Sequence, residues 1–148
     1  MNPNELLARE TRAWLAKAFD DLESARVLAN AGLEGTALYH CQQSAEKSLK
    51  AFLTWHNQPF RKTHNLKELG EPCYRIDPAL EQTASDAHAL TDYAWKLRYP
   101  GELYVVEEGE LEAMMALAAN VLREIQSRLP AEARLEIARA NNARADKD

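Results

Sequence analysis

Eight residues of this chain have the types and spacing from which a site could be built: His40, Gln43, Lys47, Lys50, Lys62, His64, Arg98 and Tyr99. Lysine supplies point charge to a phosphate, and arginine can clamp an oxyanion through two parallel hydrogen bonds. Tyrosine can stack on a base. Histidine can donate, accept or move a proton near neutral pH. At about 100° per residue, His40, Gln43, Lys47, Lys50 and Thr54 gather on one side of a helix. Leu38, Cys41, Ala45, Leu49, Phe52 and Leu53 fall on the other. The polar side reads either as a solvated face or as a surface where an anion or polar partner docks.

Local charge bears on that choice. From His40 to Lys67 five basic residues face one acid, Glu46, for a local net of +4. From Glu68 to Asp92 the net is −5, and from Glu102 to Glu112 it is again −5. Basic segments flanked by acidic ones can attract phosphates locally, in a salt-sensitive way, and can set how two copies pair. The whole chain, with 18 basic and 23 acidic residues, has a net charge of −5, which argues against nucleic-acid binding by bulk charge.

Other chemistry is not indicated. There is no Cys-x-x-Cys or His-x-x-x-His pair, so no metal site is expected. Gly32 and Gly35 suit a helix hairpin, not a phosphate loop. His56 reads as structural on the core side of its helix, and His88 as a lone histidine. Cys41 reads as core, while Cys73 falls in an expected linker where it could oxidise. Arg98 and Tyr99 read either as a phosphate-and-base pair or as an internal salt bridge beside a turn. The tryptophans Trp14, Trp55 and Trp95 and the pair Met114 and Met115 read as packing. No catalytic residue and no cofactor is expected.

The elements that must position these residues are helical. The 148 residues fit one domain, with 46% apolar residues and only 11 Gly and Pro together. A first helix is expected from about Glu5 to Ala31 with Asn4 as cap, and Leu7, Trp14, Ala18, Leu22, Ala25 and Ala29 as its apolar stripe. A tight turn leads to a second, antiparallel helix from Thr36 to His56. Thr63 is expected to cap a short helix over Asn65 to Leu69, ended by Gly70 and Pro72. A third main helix runs from Asp77-Pro78 to Trp95, and a fourth from Glu107 to Leu129. The apolar face of the fourth is Leu111, Met114, Met115, Ala118, Val121, Leu122 and Ile125. The expected fold class is all-α, an antiparallel up-and-down bundle of four to five helices. Residues 1–130 form the bundle and 131–148 a charged tail, partly helical or frayed. No run approaches the ~20 apolar residues of a membrane span. No basic cluster precedes an apolar stretch at the start, and two cysteines are too few for a disulfide scaffold. A cytoplasmic location is expected.

The stretch from Ala37 to Leu53 resembles the signature helix of HEPN domains (higher eukaryotes and prokaryotes nucleotide-binding), His-x-Gln-Gln-x-Ala-Glu-Lys-x-Leu-Lys-Ala. Trp14, Leu15, Ala18, Asp21, Leu22 and Ala25 match that family's first helix. Lys62-Thr63-His64-Asn65-Leu66 is similar to its Lys-Thr-His-Asp-Leu element, with Asn65 in place of Asp. Ala94, Arg98, Tyr99 and Pro100 match its Arg-Tyr-Pro turn. The resemblance implies a helical bundle, commonly a homodimer. Family members include nucleotide-binding modules, partners of minimal nucleotidyltransferases in toxin–antitoxin operons, and RNA-cleaving toxins. The ribonuclease members carry an Arg, then four to six residues, then a His. After Arg98 those positions hold Leu103, Tyr104 and Val105, and no other Arg has a His at that distance.

The reading that follows is a non-catalytic module that homodimerises and binds a nucleotide or a nucleotidyltransferase partner, with His40, Gln43, Lys47, Lys50, Lys62, His64, Arg98 and Tyr99 as ligand contacts. RNA is the less favoured ligand, and no membrane is involved. The alternatives are an RNA-cleaving toxin with a reorganised site, using His40 or His64 as proton carrier, and a purely structural dimer.

Overall fold

The computed structural model describes residues 1–97, 100 and 104–136. Among them are five α-helices and no strand: α1 (Pro3–Asn30), α2 (Glu34–Trp55), α3 (Leu66–Ile76), α4 (Glu81–His88) and α5 (Glu110–Ser127). The all-α bundle expected from the punctuation is the fold observed.

Helix α1 starts two residues earlier than its sequence signals suggest. Asn2, not Asn4, is the cap: its side chain accepts from the Glu5 amide at 2.9 Å, and the Asn2 amide donates to Glu5 at 3.1 Å. This reciprocal pair, with Pro3 in the first turn, satisfies amides that a helix start leaves orphaned. The helix is ~42 Å long at 1.5 Å per residue. It ends at Gly32, whose φ of 77° suits a residue without a Cβ. There the Leu33 amide reaches back to the Leu28 carbonyl and the Gly32 amide to that of Ala29. This tight reversal makes α1 and α2 an antiparallel hairpin.

Helix α2 is the centre of the molecule, packing against α1, α3 and α5. Its expected apolar sector is buried throughout. Its neighbours cover much of the other side as well, so Gln42, Gln43, Ser44, Glu46, Ser48 and Lys50 are also buried. The polar face is therefore only in part a solvated one. On α1 the buried line is Ala8, Thr11, Leu15, Ala18, Asp21 and Ala25, slightly rotated from the expected stripe, and Leu7, Trp14, Leu22 and Ala29 are half-buried.

Three stretches differ from expectation. Helix α3 continues through Gly70 and Pro72 to Ile76, and its cap is Asn65. Burial of Leu66, Leu69 and Cys73 at helical spacing outweighs one lost backbone bond at the proline. Cys73 is therefore a core residue, not a linker thiol. The expected third main helix is broken into 3-10 turns at Pro78–Leu80 and Thr91–Ala94 around the short α4. In the second of these turns the Thr91 hydroxyl accepts from the Leu66 amide at 3.2 Å, tying the turn to the start of α3. His56 is exposed, its ring 4.4 Å from that of Phe52, and Trp95 is also exposed. Beyond Ser127 the chain forms a short turn at Ala131–Ala133. The remainder of the tail lies outside the described residues.

Candidate functional site

Two buried carboxylates organise the polar contacts of α2, one tying it to α1 and the other to the segment that follows it. Asp21 of α1 holds His40 and Lys47 of α2, with 2.8 Å between its Oδ1 and His40 Nδ1 and the lysine ammonium on Oδ2. Glu46 of α2 holds Lys50 one turn on, at 3.1 Å, and His64 of the following segment, at 2.7 Å from Nδ1. Gln42 adds a third donor to Glu46 at 3.2 Å and also donates to the His64 carbonyl at 3.2 Å. Gln43 in turn donates to the Gln42 side chain at 2.7 Å. The arrangement thus occurs twice: one buried acid, one lysine and one histidine.

Burial explains why these partners exist. A carboxylate removed from water without partners is costly, so the fold brings cations to it. Lys50 is enclosed further by rings, with its ammonium 5.4 Å from the Trp14 centroid and 5.8 Å from that of Phe60. Trp14 and Phe60 meet edge to face at 6.2 Å. Among the described residues every buried side-chain nitrogen and oxygen has a partner.

The histidines differ in access. A carboxylate oxygen only accepts, so each Nδ1 carries the hydrogen and each Nε2 faces away from the acid. The His64 side chain is 60% exposed and that of His40 is 27% exposed. His40 lines an open groove with Asp20, Glu23, Ser24 and Arg26.

Of the eight residues singled out by sequence, Lys47 and His40 meet on Asp21, and Lys50 and His64 meet on Glu46. Gln43 is buried and linked to the second hub. Lys62 is exposed and makes no hydrogen bond or ion pair among the described residues. Arg98 and Tyr99 lie outside the described residues, as does Leu103. The net of +4 already includes Glu46, the partner of Lys50; Asp21 and Glu68, from outside the segment, pair with Lys47 and Arg61 and offset half of it.

Sequence reasoning missed Asp21, Gln42 and Glu46 as the organisers. A signal for Asp21 was its place three residues after Ala18 and four before Ala25, on the stripe that must be buried. For Glu46 the signal was its spacing of four from both Gln42 and Lys50.

A second cluster ties the other end of the molecule. Tyr93 donates to Glu110 at 2.9 Å, and the Tyr104 hydroxyl lies 2.6 and 2.7 Å from its two oxygens. Burial and the bond to Glu110 push the Tyr93 phenol up. The bond to Glu110, then burial, push up that of Tyr104. Burial by itself would raise the Glu110 carboxyl, but the hydrogen bonds from Tyr104 and Tyr93 hold it below its ordinary value. Neither thiol is reactive, since burial pushes Cys41 and Cys73 up to about 12. No group of three or more potential metal ligands occurs among the described residues. Nor is any helix there long and apolar enough to cross a membrane.

Comparison with known proteins adds the following. The family model described as HEPN domain matches residues 11–129. The fold is similar to the crystal structure of TT1696 from Thermus thermophilus, with a TM-score of 0.70 and 24% identity over 82% of this chain and 98% of that one. It is also similar to the crystal structure of ST0689, an archaeal HEPN homologue, with a TM-score of 0.61 and 24% identity over 78% of this chain and 94% of that one. No curated protein matches the chain.

Proposed function

This chain belongs to the HEPN domain family, and we propose that within it the chain is a non-catalytic module that homodimerises and binds a nucleotide or a nucleotidyltransferase partner. A toxin–antitoxin operon is the setting proposed for that pairing. The observation that supports this reading best is the double hub around α2. Two buried acids hold two imidazoles by Nδ1, which leaves two Nε2 atoms available to a polar ligand. Ring nitrogens held this way are fixed before a ligand arrives, which lowers the entropy cost of binding. No Arg–His pair at ribonuclease spacing accompanies them.

A thermal-shift series with nucleoside mono-, di- and triphosphates tests the nucleotide arm. A ligand at ~100 times its dissociation constant stabilises by about 2.7 kcal/mol. Co-purification from the native cell tests the protein arm, with a nucleotidyltransferase expected. Sedimentation of the purified chain tests the homodimer. If no nucleotide shifts the melt and no nucleotidyltransferase co-purifies, the reading fails. Cleavage of single-stranded RNA that is lost in His64→Ala would replace it with the toxin reading.

A further inference from the structure

Helices α3 and α4 meet at two small residues. Gly70 and Ala84 are buried, and a Cβ added to Gly70 would lie 2.9 Å from that of Ala84. Residues 77–80 reverse the chain between the two helices, so they run back along one another. Above the Gly70–Ala84 contact lies an open cleft of about 260 Å³.

This register sorts the lining side chains into two ends. Lys67, three residues before Gly70, and His88, four after Ala84, stand one turn along in the same direction. Tyr74, four after Gly70, and Glu81, three before Ala84, stand one turn the other way. Lys67 and Tyr74 are ~10 Å apart along α3 at 1.5 Å per residue. The polar groups here are unspent. The Lys67 ammonium, the Glu81 carboxylate and the Tyr74 and Ser85 hydroxyls make no hydrogen bond or ion pair among the described residues. Lys67 and Glu71 have the spacing of an ion pair, yet Glu71 turns to Arg75, at 3.7 Å. At the Lys67 end, the Thr91 hydroxyl oxygen accepts from the Leu66 amide and lies 3.4 Å from His88 Nδ1. With the hydroxyl hydrogen toward Nδ1, the ring hydrogen sits on Nε2, which makes Nε2 a donor. One end thus offers an ammonium and an imidazole N–H. The other offers a carboxylate and an aromatic ring, both of which attract a cation.

We propose that the α3–α4 cleft binds a short peptide of about three residues with both termini free. Its carboxylate lies on Lys67 and His88 Nε2, and its ammonium on Glu81 and the Tyr74 ring. Three extended residues span ~10 Å, the separation of the two ends. Ser85, between the ends, is placed for a peptide group. A single amino acid holds its charges too close together to reach both ends. A nucleotide brings no cation for Glu81. The cleft shares no residue with the double hub around α2.

Amide chemical-shift titration of the full chain with trialanine at low salt tests this. Saturable shifts are expected in α3 and α4, with alanine binding far more weakly. N-acetyl-trialanine and trialanine amide each lose one terminal charge and should bind about fivefold more weakly than trialanine, the worth of one exposed ion pair. Lys67→Gln should weaken trialanine to the same degree and leave trialanine amide unchanged. Glu81→Gln should weaken trialanine and leave N-acetyl-trialanine unchanged. Both side chains are exposed and unpaired among the described residues, so neither change disturbs the fold. Absence of saturable shifts, shifts confined to other helices, or equal affinity for trialanine and its two blocked forms overturns the site. So does the opposite matching of variants to blocked termini, or alanine binding as tightly as trialanine.

Discussion

The polar residues of α2 are informative because they are buried. Glu46 is 3% exposed and accepts from Gln42, Lys50 and His64. Truncating such an acid strands a buried ammonium, that of Lys50, whereas replacing a buried pair with apolar residues of similar size is often neutral. Glu46→Ala should therefore lose about 3 kcal/mol in urea denaturation. The double variant Glu46→Met with Lys50→Met should lie nearer to wild type than Glu46→Ala does. If the double variant is the less stable of the two, the hub is not an ion pair that tolerates apolar replacement. A second residue-scale prediction concerns the thiols. With Cys41 and Cys73 buried and their thiols pushed up to about 12, almost no thiolate exists at pH 8. A disulfide reagent should label neither in the native chain and both in denaturant, and native labelling of Cys73 would return it to a linker.

Helix α3 shows how one element is set by its neighbour. A Cβ on Gly70 would sit 2.9 Å from the Ala84 Cβ and 3.4 Å from its Cα. Glycine costs a helix about 1 kcal/mol relative to alanine, so local propensity favours Gly70→Ala. Overpacking against a short, inflexible side chain costs about 1–3 kcal/mol and should win. Gly70→Ala is expected to lower the melting temperature, and adding Ala84→Gly to recover most of the loss. A Gly70→Ala chain as stable as wild type would mean that α3 and α4 part easily. The same close approach explains why the glycine does not end the helix: it is where α3 and α4 touch.

At the scale of the molecule, the two tyrosines on Glu110 bind the segment before α5 to the 3-10 turn after α4. Their titration sets limits on stability at both ends of the pH range. Glu110 is held below its ordinary value of 4.5, so its contribution is present above that pH and is lost as pH falls through the lower native value. Tyr93 and Tyr104 are raised above 10, so theirs is complete below pH 10 and is lost as pH climbs through the native values. Absorbance at alkaline pH should show at least two of the five tyrosines ionising after the rest. Glu110→Gln should flatten the acid limb of a melting-temperature profile below about pH 4.5. An unchanged acid limb would show that Glu110 is not the group that titrates there.

What the sequence determined by itself was the helical class, the α1–α2 hairpin and the apolar sector of α2. These follow from periodicity and from Gly32, all within a few residues along the chain. The motif of α2 also carried the family. What only the tertiary structure decided was the status of the charges. Lys47 and Lys50 read as free cations on a helical wheel, because a wheel shows no neighbour. Asp21 is 26 residues from Lys47 in sequence, and His64 is 18 from Glu46; only packing brings them within hydrogen-bond reach. The continuation of α3 past Gly70 and Pro72 had the same cause. Local signals said stop, and the burial of Leu66, Leu69 and Cys73 against the rest of the bundle decided otherwise.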